Sequence, residues 1–301
     1  MTSSHATRSL VAVLCAATLA TSSAGQVAAP PAGDPPMLVT VSAEASVKTI
    51  HPGDKFLLAF HFEITPQWHI YWENPGDTGA ATEIDVTAPD GFEVGEILWQ
   101  RPLAIPGQFL TYGYEDQVTL LVPVKAPAPL PSPAARFEAR LDWLVCQDIC
   151  LSGSAELAMT IDTSDQPRPG APDGRDESES EDDNGFEHYR FDSDRVRQAA
   201  RALPRDLAAI DGATITREGA RITISGPAHG EETLTFFDNH SPGVASRVVQ
   251  ASIENDRFIL ILEIEVNQTA TLDQPPLAAG VIALGIGKDG PSYSFEVRLE
   301  K

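Results

Sequence analysis

Two cysteines, Cys146 and Cys150, are the residues of this sequence best suited to chemistry, because no other thiol occurs after position 15. In an extended strand their Cα atoms would lie about 13 Å apart. A disulfide requires a separation of at most about 7 Å, so the two sulfurs can join only if the chain bends between them. We therefore predict a turn at positions 147–149.

A disulfide that closes so short a loop is a weak structural constraint. The chain-entropy account assigns it a stabilisation of only about 2 kcal/mol. Small, accessible disulfides are typically the labile ones that take part in exchange reactions. The spacing alone leaves two interpretations open: an exchanging pair, and a passive local clip or two free thiols.

The charged residues near the cysteines bear on their reactivity. Asp148 lies between them and Asp142 lies close by, whereas no Lys, Arg or His occurs within five residues of either thiol. Negative neighbours raise the pKa of a thiol. We predict thiols of ordinary or weakly lowered pKa, which favours a reducing or relay role over disulfide donation. A thiol pKa below about 6 would contradict this prediction.

The chain has 301 residues and a formal net charge of −22. Residues 1–24 have the features of a secretory signal peptide: Arg8, an apolar run, and small residues before Ala24. No later stretch approaches the 18 apolar residues of a membrane span, so we predict an exported chain without a transmembrane segment after the leader. The strongly acidic composition argues against nucleic acid as a partner.

Composition divides the rest of the chain into four parts. Residues 25–36 are rich in Pro, Ala and Gly and predict a disordered lead-in. Short apolar alternations between turn residues predict a β-sandwich over 37–162. The acidic segment 163–187 predicts a solvated linker. A second β-sandwich is predicted over 188–301, preceded by a short helix at 193–203. The predicted fold class is all-β.

Aromatic residues are concentrated in the first predicted sandwich, which contains all four tryptophans of the chain. The segment 107–116 mixes glycines with Phe109, Tyr112 and Tyr114. Most of these rings are expected to lie in the core. A glycine-rich aromatic loop is also suited to cover a reactive disulfide and to shield it from unwanted thiols.

Three motifs together resemble one protein family. They are WHIYWENPGDTG at 68–79, YGYE at 112–115 and WLVCQDIC at 143–150, in that order. The pattern is similar to the N-terminal periplasmic domain of the thiol:disulfide interchange protein DsbD, especially its ScsB-like branch. Phe236, Phe237 and Gln250 also resemble that branch. The resemblance extends over most of residues 39–299.

The resemblance implies an immunoglobulin-like fold, a periplasmic location and a role related to cytochrome c biogenesis. It implies that Cys146 and Cys150 are the exchanging pair, with Phe109 or Tyr112 in a protective cap loop and Tyr71 lining the site. The family passes electrons from a membrane-embedded reductase domain to periplasmic thiol–disulfide proteins. This sequence shows neither the membrane helices nor a C-terminal C-x-x-C. The expected partners are therefore a membrane-embedded thiol reductase on a separate chain and periplasmic thiol–disulfide proteins.

The leading interpretation is thus a periplasmic thiol–disulfide exchange module, an enzyme of the protein-disulfide reductase kind, with no cofactor and no metal. A second interpretation is a non-catalytic scaffold of two sandwiches with a structural disulfide. A third is copper(I) handling, with two thiolates and His69 as soft ligands. A histidine in such a strand is more often a surface or core residue whose hydrogen bonds are satisfied. No G-x-S-x-G or metalloprotease motif occurs.

Overall fold

The structure of the chain is a computed structural model. It describes residues 37–131, 133–166, 185–186, 188–267, 275–288 and 290–299. The predicted signal peptide (1–24), the predicted lead-in (25–36) and most of the predicted acidic linker (163–187) lie outside the described residues.

The first sandwich consists of two sheets. Its strands are β1 (Val39–Ala45), β2 (Thr49–Ile50), β3 (Lys55–Ile64), β4 (His69–Gly76), β5 (Glu83–Thr87), β6 (Glu93–Val94), β7 (Leu103–Ile105), β8 (Thr111–Glu115), β9 (Gln117–Lys125), β10 (Ala134–Cys146) and β11 (Cys150–Thr163). One sheet has the order β1-β3-β9-β6. The other has the order β2-β11-β10-β4-β8-β7, with β5 paired to β10.

The second sandwich also has two sheets and follows a short helix. Its elements are α1 (Asp194–Arg201), β12 (Arg205–Asp206), a 3₁₀ turn (Leu207–Ala209), β13 (Thr214–Glu218), β14 (Arg221–Pro227), β15 (Leu234–Asp238), β16 (Val244–Glu254), β17 (Arg257–Val266), β18 (Leu277–Leu284) and β19 (Ser292–Arg298). The sheet orders are β12-β19-β18-β15 and β13-β14-β17-β16. The predicted all-β fold with one short helix is confirmed.

Strand β3 shows how the alternation of the sequence builds the first core. Phe56, Leu58, Phe60 and Phe62 point to one side of the strand and are fully buried. The ring of Phe62 meets that of Trp143 edge to face at a centroid distance of 5.6 Å. The core side chains of β3 therefore pack against β10, the strand of the opposite sheet that ends at Cys146.

Helix α1 covers the outer face of β3. Leu57 and Ala59, on that face, pack in one cluster with Val196 and Ala199 of the helix. The side chain of Ser193 accepts a hydrogen bond from the Val196 N–H at 3.3 Å and caps the helix. This helix, which the sequence groups with the second sandwich, thus packs against the first. No helix among the described residues is long and apolar enough to cross a membrane.

An aromatic cluster joins the two sandwiches. Phe237, on β15 of the second sandwich, belongs to the core of the first and is only 2% exposed. Its ring lies 5.1 Å from that of Tyr112 and 6.2 Å from that of Trp72, both in edge-to-face geometry. The two sandwiches therefore share part of one hydrophobic core.

Polar contacts surround this cluster. The side chain of Asn74 donates to the backbone oxygen of Asp238 at 2.7 Å. The buried guanidinium of Arg101 donates to the backbone oxygens of Leu284 and Gly285, each at 2.8 Å. Each bond pairs a polar group of one sandwich with a polar group of the other, because buried donors and acceptors are costly to leave without partners.

Glu73 lies at the contact between the two sandwiches and makes the stability of this contact sensitive to pH. Burial raises the pKa of the Glu73 carboxyl to about 7, and the hydrogen bond with Asn239 only partly offsets this rise, while Glu96 and Glu296 add to it. Since the folded pKa exceeds the unfolded value, the protonated form is favoured by folding. This contribution is fully present below pH about 4.5 and is lost as the pH rises to about 7.

We expect Glu73→Gln to remove that contribution. The variant should gain about 2 to 3 kcal/mol relative to the unsubstituted chain on going from pH 5 to pH 8. Denaturant unfolding of both chains at pH 5 and at pH 8 measures this gain in the free energy of unfolding. Glu83→Gln, which changes an exposed carboxyl on β5, is the matched control and should show no such gain. A pH-independent difference for Glu73→Gln would contradict the account.

Candidate functional site

Cys146 and Cys150 end two adjacent strands. Cys146 is the last residue of β10 and Cys150 the first of β11, and they face each other in the register of this antiparallel pair. Their Cα atoms are 4.2 Å apart and a disulfide joins the sulfurs. The Gln147 N–H donates to the Ile149 oxygen at 3.1 Å and helps to close the turn. The turn predicted from the spacing is therefore present.

The two halves of the disulfide differ in exposure. Cys146 is 2% exposed, whereas Cys150 is exposed. Its neighbours Ile149 and Leu151 are 61% and 42% exposed. Cys150 is therefore the half of the disulfide nearer to solution, and Cys146 is the covered half.

Tyr71 contacts the exposed half of the disulfide. Its hydroxyl lies 3.7 Å from Sγ of Cys150, and it is the donor because a disulfide sulfur carries no hydrogen. A Cβ at Gly79 would overlap the Tyr71 ring, and Gly79 has a φ of +93°, so glycine is required there. Burial raises the pKa of Tyr71, although the hydrogen bond with Thr78 partly lowers it. The tyrosine stays protonated and can donate to sulfur.

His69 lies on the same face as the disulfide. It is opposite Cys146 in the register of β4 and β10, and residues opposite each other in an antiparallel pair share a face. The rings of His69 and Tyr71 meet edge to face at 5.2 Å. Nε2 of His69 is buried and has no hydrogen-bond partner among the described residues. The hydrogen bonds expected of a satisfied histidine are thus not seen at Nε2 among the described residues.

The predicted cap residues separate in space. Phe109 is 53% exposed on the loop between β7 and β8. The loop is tied to Asp77 by two hydrogen bonds with the backbone of Leu110, at 2.8 and 3.0 Å. The Tyr112 hydroxyl instead donates to Asp238 of the second sandwich at 3.4 Å. Tyr112 therefore lies on the core side of β8 and packs in the aromatic cluster, whereas Phe109 is the exposed ring of the loop.

The described residues contain no cluster of three or more His, Cys, Asp and Glu side chains that could hold a metal ion. With both sulfurs in a covalent bond, the chemistry open to this site is attack by a thiolate. From the sequence, His69 is connected with the thiols only in the copper(I) interpretation, because 77 positions separate it from Cys146. The alternation of 68–72 could have placed it on the face of Tyr71, but not opposite Cys146.

Comparison with known proteins gives two findings that bear on the site. Residues 36–161 match the family model described as "Thiol:disulfide interchange protein DsbD, N-terminal". The chain is also similar to the N-terminal periplasmic domain of ScsB from Proteus mirabilis, with 16% identity and a TM-score of 0.55 over 91% of this chain and 96% of that one. At that identity, the structural likeness shows the fold.

Weaker structural similarities carry no argument. The collagen adhesin of S. aureus has 8% identity and a TM-score of 0.17, over 86% of this chain and 92% of that one. The E. coli chaperone DraB has 11% identity and a TM-score of 0.22, over 86% of this chain and 98% of that one. The comparison with curated proteins found no match.

Proposed function

We propose that this chain carries out thiol–disulfide exchange through Cys146 and Cys150, because residues 36–161 match the family model of DsbD N-terminal domains. The observation that carries the proposal is the uneven burial of the disulfide, with Cys150 exposed and Cys146 covered at the end of a hairpin. A partner can reach one sulfur, and the other remains in place to complete the exchange.

The exchange takes place in two steps. A partner thiolate attacks Sγ of Cys150, the bond between Cys146 and Cys150 breaks, and its electron pair leaves with Cys146 as a thiolate. A second thiolate of the partner then attacks its own sulfur in the mixed disulfide and releases Cys150. The partner ends as a disulfide and this chain as a dithiol, so two electrons have passed to this chain.

The reverse sequence reduces the next protein. Cys150 as a thiolate attacks the disulfide of that protein and forms a mixed disulfide. Cys146 then attacks Sγ of Cys150, restores the intramolecular bond and releases the second thiolate of the protein. Electrons and sulfur bonds balance, because one disulfide forms for each one that breaks.

The proposed location is the periplasm, and the proposed electron donor is a membrane-embedded thiol reductase on a separate chain. The acceptors would be periplasmic thiol–disulfide proteins. Support comes from the family model that residues 36–161 match and from the likeness to the ScsB domain, which is described as periplasmic. The proposal includes the division of the chain made from its composition: a leader at 1–24, a lead-in at 25–36, a first sandwich at 37–162, a linker at 163–187 and a second sandwich at 188–301.

Two aromatic residues have proposed roles around the disulfide. Tyr71, which contacts Cys150, would line the surface that a partner meets. Phe109 would slow the attack of small thiols on the sulfurs without preventing it, because its loop is anchored at Asp77, two residues from the glycine that packs on Tyr71.

A redox titration of the full chain against glutathione tests the function. We expect the disulfide of the folded chain to equilibrate with a reduction potential in the range of known exchange proteins, roughly −120 to −270 mV. A disulfide that resists reduction until the chain is unfolded, as structural disulfides with potentials below about −300 mV do, would favour the scaffold interpretation. Tryptophan fluorescence during the titration shows whether the chain stays folded.

A further inference from the structure

His69 is the titratable residue that the fold brings to the buried half of the disulfide. Its Cα is paired with that of Cys146 across β4 and β10, although 77 positions separate them in the sequence. Ile70 and Trp72 point into the core, so the alternation of β4 directs His69 and Tyr71 to the opposite face, where the disulfide lies.

The imidazole of His69 has an unused polar atom. Nε2 is buried and lacks a hydrogen-bond partner among the described residues, although a buried polar atom without a partner is costly. Such atoms are rare in folded proteins, and one explanation is a role in chemistry. In the oxidised state the adjacent disulfide offers no charge to this nitrogen. Reduction changes that, because it generates a thiol or thiolate at Cys146.

We propose that His69 is the electrostatic partner of Cys146, holding a proton beside its thiolate and so making Cys146 a better leaving group when Cys150 is attacked. The inference rests on the proposed function, because it concerns a step of that exchange. His69 is a positioning residue in this role: it stabilises charge at Cys146 and forms no bond to the partner.

The groups around His69 are consistent with a proton that arrives with reduction. Across the neighbouring strands, Cys146 of β10 and Glu115 of β8 lie opposite His69, and Tyr71 is the next residue on its own face. Asp148 lies in the exposed turn beyond Cys146. Burial lowers the pKa of His69, which disfavours the protonated ring while the disulfide is intact.

A thiolate at Cys146 reverses this balance. Its negative charge favours the protonated imidazole, and by the same interaction the imidazolium favours the thiolate. The interaction therefore raises the pKa of His69 and lowers that of Cys146 together in the reduced chain.

The effect on rate is moderate and has a distinctive pH dependence. A thiol of lower pKa leaves faster. If the imidazolium lowers the pKa of Cys146 by about one unit, and the rate depends on the leaving thiol about as steeply as on the attacking one, the displacement of Cys146 is accelerated on the order of threefold. The acceleration requires a protonated ring, so it should grow as the pH falls. It should vanish where the ring is neutral throughout the reaction.

The first test measures reduction of the oxidised full chain by glutathione between pH 5 and pH 9. Each rate is divided by the concentration of the glutathione thiolate, which removes the titration of the attacking thiol. We expect this normalised rate to rise about threefold toward low pH in the unsubstituted chain and to be flat in His69→Gln and His69→Phe. The Phe variant keeps an aromatic ring against Tyr71. His229→Asn, which changes an exposed histidine of the second sandwich, should behave like the unsubstituted chain.

The second test needs no variant. Titration of the His69 ring by NMR in the full chain should give a pKa about one unit higher in the reduced than in the oxidised form. A merely structural histidine would titrate at the same pH in both forms.

The outcomes separate this inference from the proposed function. If the unsubstituted chain exchanges with glutathione and the His69 variants show the same normalised pH profile, the role of His69 is overturned and the exchange function stands. An unchanged pKa of the His69 ring on reduction would overturn it likewise. If the folded chain does not exchange with glutathione at any pH, with or without His69, the proposed function fails and the inference with it.

Discussion

Cys146→Ala is expected to leave a thiol at Cys150 that captures disulfide partners, whereas Cys150→Ala is expected to leave a thiol at Cys146 that hardly reacts. The reason is the difference in burial: Cys146 is 2% exposed and Cys150 is exposed. A buried thiol reacts only after a local opening of the fold. If the end of the hairpin opens at a cost of about 3 kcal/mol, Cys146 reacts about 100-fold more slowly than Cys150.

Reaction of each full-length variant with an aromatic disulfide reagent measures these rates. Cys146→Ala should also accumulate stable mixed disulfides with glutathione, because the second thiol that would resolve them is absent. The same reaction in denaturant is the control, since both thiols are then exposed and the two variants should react at similar rates. Equal rates in the folded state would contradict the proposed order of attack, in which the partner bonds to Cys150 first.

Phe237→Ala is expected to lower the free energy of unfolding by about 3 to 5 kcal/mol, the range typical of a buried ring. Phe237 comes from the second sandwich but packs with Trp72 and Tyr112 of the first. Its removal leaves a cavity where the two cores meet. The loss should therefore weaken the contact between the sandwiches as well as the stability of each.

Denaturant unfolding followed by two probes measures both effects. Tryptophan fluorescence reports the first sandwich alone, because all four tryptophans lie there, whereas far-ultraviolet circular dichroism reports both. We expect coincident transitions for the unsubstituted chain and separate ones for Phe237→Ala. Phe109→Ala removes the same side chain from a position that is 53% exposed, and it should cost less than about 1 kcal/mol. Similar losses in the two variants would contradict the shared core.

Because the two sandwiches share a core, the second sandwich helps to hold the first in its folded structure. Trp72 directly follows Tyr71, whose hydroxyl contacts Cys150. The aromatic cluster therefore holds β4 from its core side, while the outer side of the same strand faces the disulfide. A substitution at Phe237 is therefore expected to shift β4 and so to alter the surroundings of the disulfide.

Local patterns of the sequence were sufficient for much of the fold. Alternation along β3 identifies which of its side chains enter the core, because successive residues of a strand point to opposite sides. The three-residue spacing of Cys146 and Cys150 requires a turn, because a disulfide tolerates only a short separation. These inferences depend on neighbours in the sequence, and the structure agrees with them.

Other features required the tertiary structure. The apolar outer face of β3, with Leu57 and Ala59, indicates that something covers it, but only the packed chain shows that α1 does. Tyr112 looks like a loop aromatic in the sequence and lies in the contact with Phe237. Both outcomes depend on contacts between segments about 125 to 140 positions apart, and local pattern carries no information on such pairs.

By itself, therefore, the sequence determined the all-β class, the bend between the cysteines and the pair of sulfurs on which any exchange depends. Only the tertiary structure decided that Cys150 is exposed and Cys146 covered, and that His69 stands opposite Cys146. The physical reason is that periodicity and spacing act along the chain, whereas burial and strand register are set by the packing of distant segments.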